Sequence, residues 1–272
     1  MTGKSIRLSK FLNPNTKKGL IVPMDHGFTR GPLEGIENTE KIAEKIRLIS
    51  PYSDGIILHK GMLERLGAIE GLFKNLGIMM HLNGMISLSS TASEKVMLSS
   101  VECGLTLGAD AISVELVFNG ETDANNIKTL SKLADEARHC GVPLLAMLVD
   151  GLVSQRPSEK IARLRHLIRS AYEVGVDAVK IPKVESEEIA KLILKDISDD
   201  VLIFIAGGIR CNETEIIEML KMALTYGATG VCVGRNIFER HDSSLVQKLR
   251  EILDNPKLVE TDIYAWEKIR GQ

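Results

Sequence analysis

The segment Gly175-Val-Asp-Ala-Val-Lys180-Ile-Pro-Lys-Val-Glu-Ser-Glu-Glu-Ile-Ala190-Lys-Leu-Ile-Leu-Lys-Asp-Ile-Ser-Asp-Asp200-Val-Leu-Ile-Phe-Ile-Ala-Gly-Gly208 holds two short apolar runs around one helical pattern. Ala178–Ile181 and Val201–Ala206 are rich in β-branched residues and carry almost no polar side chain, as expected of strands buried on both faces. Between them, Glu187 to Leu194 places Ile189, Leu192 and Ile193 on one stripe, with Glu188, Lys191 and Lys195 outside it. This is a strand–helix–strand unit of a parallel sheet. The same unit recurs along the chain, with further strand-like runs at Leu20–Met24, Gly55–His59, Ile78–Leu82, Ala111–Leu116, Leu144–Val149 and Gly230–Val233. Eight strands, each followed by a helix and with no central boundary, predict closure into a single (β/α)8 TIM barrel over residues 1–272. Glycines at 141, 175 and 227 stand where helix C-caps belong, and Asn212-Glu-Thr-Glu215 offers a cap and first-turn acids for a helix over Ile216–Tyr226. Residues 243–272 are expected to form terminal helices.

Composition narrows the function classes. A chain of 272 residues with 44% hydrophobic and 26% charged side chains fits one ordinary globular domain. A net charge of −2 argues against nucleic acid as the main partner. The N-terminal stretch, interrupted by Lys4, Arg7 and Lys10, does not read as a secretory signal, and no apolar run is long enough to cross a bilayer. Cys103, Cys140, Cys211 and Cys232 lack CxxC spacing and fall in or near core elements, so a reducing cytoplasm is expected.

In a barrel of this kind the chemistry sits at the C-terminal strand ends. Strand one ends in Met24-Asp25-His26-Gly27, either an acid/base pair or an aspartate capping its own loop. In strand six, alternation puts Ala178 and Lys180 on one face and Val179 and Ile181 on the other. The apolar pair suits the helices, so Lys180 points inward. Bringing a lysine from its ordinary pKa to about 7 takes roughly 4.6 kcal/mol of desolvation and cation repulsion, and Lys183 is placed to help. A neutral amine there could form an imine with a ketone and weaken the adjacent C–C bond, with no other cofactor required. The alternative is a static pair with a carboxylate such as Asp25. Strands seven and eight end in Gly207-Gly208 and Gly234-Arg235-Asn236, the usual place for phosphate in a barrel; Asn236 is expected to cap the short helix that follows. His59 and His81 end strands two and three beside His26. A zinc site made of these three is the weaker reading, since no HxH-like spacing supports it, and no metal is expected. His139, His166 and His241 look like surface residues.

Val22-Pro-Met-Asp-His-Gly27, Leu58-His-Lys-Gly61, Gly108-Ala-Asp-Ala-Ile-Ser-Val114, Val179-Lys180, Ala206-Gly-Gly208 and Gly230-Val-Cys-Val-Gly-Arg-Asn-Ile-Phe238 together resemble the archaeal-type class I fructose-bisphosphate aldolase family over nearly the whole chain. The resemblance implies a Schiff-base lysine at Lys180, an essential acid at Asp25, phosphate binding around Gly207, Gly208, Gly234 and Arg235, and a homo-oligomer, often a decamer. Within the family it is strongest to enzymes that join aspartate semialdehyde to a three-carbon unit from a phosphorylated ketone, on the way to aromatic compounds.

One position departs from the family. Its aldolases carry a general acid/base tyrosine at the end of strand five, where this chain has Val149 in Ala146-Met-Leu-Val-Asp-Gly151. The resemblance leaves Asp25, His26, His59 and Asp150 as replacements. It also admits a thiolase that transfers an acyl group from a phosphorylated diketone to coenzyme A, since such relatives lack the tyrosine and the Phe28-Thr-Arg-Gly-Pro32 loop is similar to theirs. A barrel that only binds a sugar phosphate is the non-enzymatic alternative.

Overall fold

Eight parallel strands pair in a closed ring in a computed structural model, which describes residues 3–86, 95–152 and 156–255. They are β1 (Gly19–Pro23), β2 (Gly55–His59), β3 (Gly77–His81), β4 (Ala111–Phe118), β5 (Leu144–Asp150), β6 (Ala178–Ile181), β7 (Leu202–Ala206) and β8 (Gly230–Cys232). Each pairs with its neighbours in chain order, and β8 closes on β1 through Gly19 opposite Gly230. The expected (β/α)8 barrel is therefore present. A two-residue ladder, Asn83–Gly84 against Val96–Met97, lies beyond the end of β3.

Strand alternation sorts the apolar side chains into two cores. Val179, Ile181, Ile203 and Ile205 face outward to the helices, whereas Ala178, Met147, Phe204 and Cys232 fill the barrel with Ile21, Ile57 and Met79. Phe11 plugs the N-terminal end of the barrel and is 2% exposed. Its ring lies over Gly55 and Gly77, where an added Cβ would come within 2.5 Å and 2.8 Å of ring carbons.

A repeated staple sets the strand starts. The carboxylate of Asp54, just before β2, accepts from Leu20 N–H at 2.7 Å. Asp110, before β4, accepts from Ile78 N–H at 3.1 Å, and Asp177, before β6, accepts from Leu144 N–H at 2.9 Å. Before β8, Thr229 Oγ1 accepts from Ile203 N–H at 2.9 Å. The residue before each even strand thus accepts from an amide at the start of the odd strand preceding it. Arg250, Lys10 and Lys4 meet the three aspartates at 2.8, 2.6 and 2.8 Å.

The helices follow local rules with one rotation of face. Ser186 and Asn212 cap their helices by accepting from Ile189 and Glu215 N–H, and Gly141 and Gly175 end theirs in the left-handed conformation. In the helix Glu187–Leu194, however, the buried face is Ala190, Ile193 and Leu194, and Leu192 is 44% exposed. The expected stripe is thus turned by one position, with the small Ala190 on the buried face. A final helix, Ser244–Asp254, buries Leu245, Val246, Leu249, Ile252 and Leu253; the rest of the expected terminal helices, 256–272, lies outside the described residues. No described helix is long and apolar enough to cross a membrane.

Candidate active site

A cavity of about 270 Å³ opens at the C-terminal end of the barrel, and Lys180 forms part of its wall. The lysine points inward, as alternation demands, because Ala178 two residues earlier lies in the inner core. Its Nζ lies 3.7 Å from Met147 Sδ, and among the described residues it makes no ion pair. The static pair with Asp25 is therefore absent.

The charge state differs from expectation. Burial presses the Lys180 ammonium toward neutrality, but Cys232, Asp25 and Glu115 act the other way, and the pKa lies above the ordinary lysine value. Burial holds the Cys232 thiol up at about 11, so at neutral pH it is uncharged and the two carboxylates supply the hold. Lys180 rests as an ammonium. Lys183, expected to repel it, instead lies 3.6 Å from Glu215 and spends its charge there.

Asp25 shares this cavity. Burial works against its carboxylate, yet the surrounding His81, His26, Lys180 and His59 hold its pKa at about 2. Of these only Lys180 is charged at neutral pH, because burial lowers all three histidines, His81 to about 4. Asp25 makes no cap bond to the helix His26–Arg30, and its Oδ1 lacks a hydrogen-bond partner among the described residues. The capping alternative fails, and the carboxylate is free to face a ligand.

The three histidines do not converge. His26 lines the Lys180 cavity, with Nδ1 3.6 Å from Asp25 Oδ1 and its ring edge-on to Phe238 at 5.3 Å. His81 is 2% exposed, with Nδ1 2.9 Å from Ser113 Oγ and Nε2 4.0 Å from Asp25 Oδ2. His59 instead lines a neighbouring cavity of about 570 Å³ and packs against Phe28 and His81. Asp25 and His81 belong to both walls. Among the described residues no group of three His, Cys, Asp or Glu could hold a metal ion.

Gly207, Gly208, Gly234 and Arg235 all reach the Lys180 cavity, as the strand-end reading expects. Gly234 is required by packing, since a Cβ there would meet His26 Cε1 and Pro23 O at 2.7 Å. The helix Arg235–Phe238 is a single turn whose N-cap is Gly234 and not Asn236. Asn236 is buried, and its Nδ2 donates to Gly207 O at 3.1 Å and Ile209 O at 3.0 Å while Oδ1 accepts from Cys211 N–H at 2.9 Å. It ties the loop after β7 to the end of β8. Arg30 also reaches the cavity and repels Arg235, whose pKa is lowered by burial and by this neighbour. Neither arginine forms an ion pair with a described residue, and Arg235 Nε is an unpartnered buried donor. Two guanidinium groups with no ion-pair partner among the described residues stand beside glycine-rich loops, an arrangement whose chemistry suits an anion.

Two further polar residues were not anticipated. Glu115, on the inner face of β4, lines the same cavity, and Lys95 Nζ lies 2.9 Å from its Oε1. The alternation that marked Lys180 marks Glu115 too, as the one acid inside the run Ala111–Phe118. Asp150, considered as a stand-in for the tyrosine, is instead held by Arg163 at 3.0 Å, and Val149 pairs with Val117 at the rim.

Comparison with known proteins places this geometry. The family model of the DeoC/LacD aldolases matches residues 19–240. The chain belongs to that family. It is an aldolase-type enzyme, and it is 29% identical over 268 residues, 98% of this chain and 96% of the relative, to 2-amino-3,7-dideoxy-D-threo-hept-6-ulosonate synthase 1 of Archaeoglobus fulgidus. It is 30% identical over 254 residues (93% and 90% of the two chains) to the 2-amino-4,5-dihydroxy-6-oxo-7-(phosphonooxy)heptanoate synthase of Streptomyces griseus. A 3-hydroxy-5-phosphonooxypentane-2,4-dione thiolase of Photorhabdus laumondii is 28% identical over 239 residues, covering 87% of this aldolase and 77% of the thiolase. In fold, the aldolase matches an archaeal fructose-1,6-bisphosphate aldolase, solved with its catalytic lysine bound to the carbinolamine intermediate, at TM-score 0.77, 23% identity, and 92% and 99% coverage.

Proposed function

We propose that this aldolase forms a Schiff base between Lys180 and a phosphorylated three-carbon ketone and joins that ketone to an aldehyde. The observation that carries the reading is the inward, unpaired Lys180 amine in a cavity whose adjacent wall holds Gly207, Gly208, Gly234, Arg235 and Arg30. The nucleophile sits on β6 and the anion site on β7 and β8, so a phosphate one carbon from the ketone spans them. The product named for the Streptomyces griseus relative has that spacing, with a 6-oxo group beside a 7-phosphate. Its first four carbons, bearing the 2-amino acid end, match aspartate semialdehyde as acceptor, and the hept-6-ulosonate of the Archaeoglobus fulgidus relative divides in the same way. Such products lead toward aromatic compounds.

In this reading Lys180 is the nucleophile, and Asp25, ionised at any physiological pH, stabilises the positive imine. Gly207, Gly208, Gly234 and Arg235 hold the phosphate, and His26 fixes the side of the cavity between them. Borohydride reduction with dihydroxyacetone phosphate should add the donor to Lys180, as read by mass spectrometry of the peptide. Lys180→Met should abolish the adduct; an adduct on another residue, or none, overturns the reading. Val149 favours one rival, the thiolase, because the valine removes a proton donor that aldol chemistry uses. Formation of acetyl-coenzyme A from a phosphorylated diketone would establish that rival, and indifference to coenzyme A removes it.

A further inference from the structure

We propose that Glu115 is the group that exchanges a proton with the substrate in the Lys180 cavity, in place of the phenol that Val149 lacks. The inference rests on the imine reading above. Position around the ring supports it. The anion site occupies β7 and β8 and the nucleophile β6, so a ketone bound to both directs its reacting carbon toward β5 and β4. On β5 the rim position is Val149, which cannot move a proton. One strand further, Glu115 stands in register with Met147, which is itself in register with Lys180, so acid and amine lie at the same height of the barrel with only the thioether strand between them.

The carboxylate is held in place from two sides. Asn83 clamps its backbone, Nδ2 donating to Glu115 O at 2.8 Å and Oδ1 accepting from Glu115 N–H at 2.9 Å. Lys95, whose side chain is 9% exposed, meets Oε1 at 2.9 Å, and Glu115 lines the Lys180 cavity. The other acid of the cavity, Asp25, is held at about 2, far too acidic to carry a proton in neutral solution. His81 is buried against Ser113, and His26 lies on the anion side, edge-on to Phe238. Glu115 is the acid on the side where the reacting carbon falls.

The step balances with no outside reagent. In the cleavage direction the substrate is an iminium on Lys180 Nζ. Glu115 takes the proton of the hydroxyl beyond the breaking bond, and the O–H electron pair becomes the carbonyl π bond of the departing aldehyde. The C–C pair forms the enamine double bond, and the C=N π pair returns to nitrogen. Protonated Glu115 then gives its proton to the enamine carbon, and water hydrolyses the resulting iminium. Bond formation runs the same path backward.

The test separates imine formation from proton transfer in the full-length protein. With dihydroxyacetone phosphate in deuterium oxide, wild type should show both borohydride trapping on Lys180 and loss of a carbon-bound proton by NMR. Glu115→Gln should keep trapping within about threefold and slow the exchange by about 10²–10⁴-fold, the usual contribution of a general acid/base. Glu115→Asp should recover part of that rate. Exchange near the wild-type rate in Glu115→Gln, with trapping intact, overturns the proposal. If circular dichroism shows Glu115→Gln misfolded, Glu115→Asp decides: at least a tenfold loss of exchange with trapping unchanged supports it, and an undiminished rate overturns it. Absence of trapping in wild type is a different failure, that of the imine reading, and the role of Glu115 falls with it.

Discussion

Asn236→Asp is the substitution that probes the anion site most sharply without touching a ligand. The change is isosteric and keeps Oδ1 as acceptor for Cys211 N–H at 2.9 Å. It replaces the Nδ2 donor by an oxygen facing Gly207 O and Ile209 O, at 3.1 and 3.0 Å. Asn236 is 1% exposed, so water cannot take over at the side chain. Two orphaned carbonyls at about 1–3 kcal/mol each give a loss of about 4 kcal/mol, a large share of the roughly 5–15 kcal/mol that stabilises a typical domain. The loop after β7 should loosen before the barrel does, since no other side-chain bond reaches Gly207 or Ile209 among those described. Urea unfolding at pH 7.5 gives the global cost, exchange of the Cys211 amide the local one, and calorimetric titration with dihydroxyacetone phosphate the effect on the site. The expected results are a lower midpoint, faster Cys211 exchange and at least tenfold weaker binding. A stability loss below about 1 kcal/mol together with unchanged binding would refute the view that Asn236 tethers the anion-binding loop.

Arg235→Ala and Arg30→Ala should each weaken phosphorylated donors by about 1.5–3 kcal/mol, the loss of a charge-assisted hydrogen bond, while leaving an unphosphorylated ketone unaffected; equal effects on both ligands would show the anion is held elsewhere. His81 favours its neutral form in the fold, with a pKa of about 4 against 6.5, so its share of stability is complete above pH 6.5 and is lost as the pH falls toward 4. At 1.36 kcal/mol per unit that share is about 3 kcal/mol, and His81→Gln should lose less stability than wild type between pH 7.5 and 4.5 in urea unfolding; parallel losses in the two proteins would exclude this role. Because the Lys180 pKa is raised, the rate of donor trapping should climb about tenfold per pH unit from pH 6 to pH 9, and a plateau below pH 8 would contradict a resting ammonium.

The barrel was readable because its signals are local. Strands covered on both faces become apolar runs such as Val201–Ala206, and the inward aim of Lys180 follows from the period of two and the apolar neighbours Val179 and Ile181. Glycines at the ends of β7 and β8 likewise announced the wall of the cavity. What escaped the sequence depends on partners far along the chain. Asn236 looked like the cap of its own helix, but its bonds go to a loop 25 to 29 residues earlier. The charge of Lys180 is set by carboxylates just after β1 and on β4, and desolvation alone predicted the opposite direction. His59 ends its strand as His26 does, yet the rings at positions 28 and 81 turn it toward another cavity. Glu115 was readable by the rule applied to Lys180; a lone acid in an apolar run is the same anomaly as a lone base.

The raised pKa of Lys180 lowers the fraction of amine able to attack a ketone, which looks unfavourable for a nucleophile. The charge that follows attack changes that judgement. An iminium carries one positive charge at nearly the same atom as the ammonium it replaces, and the Asp25 and Glu115 carboxylates that favour the ammonium favour it in the same way. Fixed charges of this kind need little reorganisation when the intermediate forms. The free energy spent in keeping the lysine protonated at rest is therefore largely retained by the protonated imine, and only the brief deprotonated amine lies outside its reach. Asp25, held at about 2, keeps its charge through the whole cycle and so favours each cationic state equally. A residue that takes and returns a proton within the cycle could not also supply that constant field, so in this reading the two carboxylates of one small cavity divide the work: Asp25 stays charged, and Glu115, across the barrel from the glycine-rich wall, exchanges the proton.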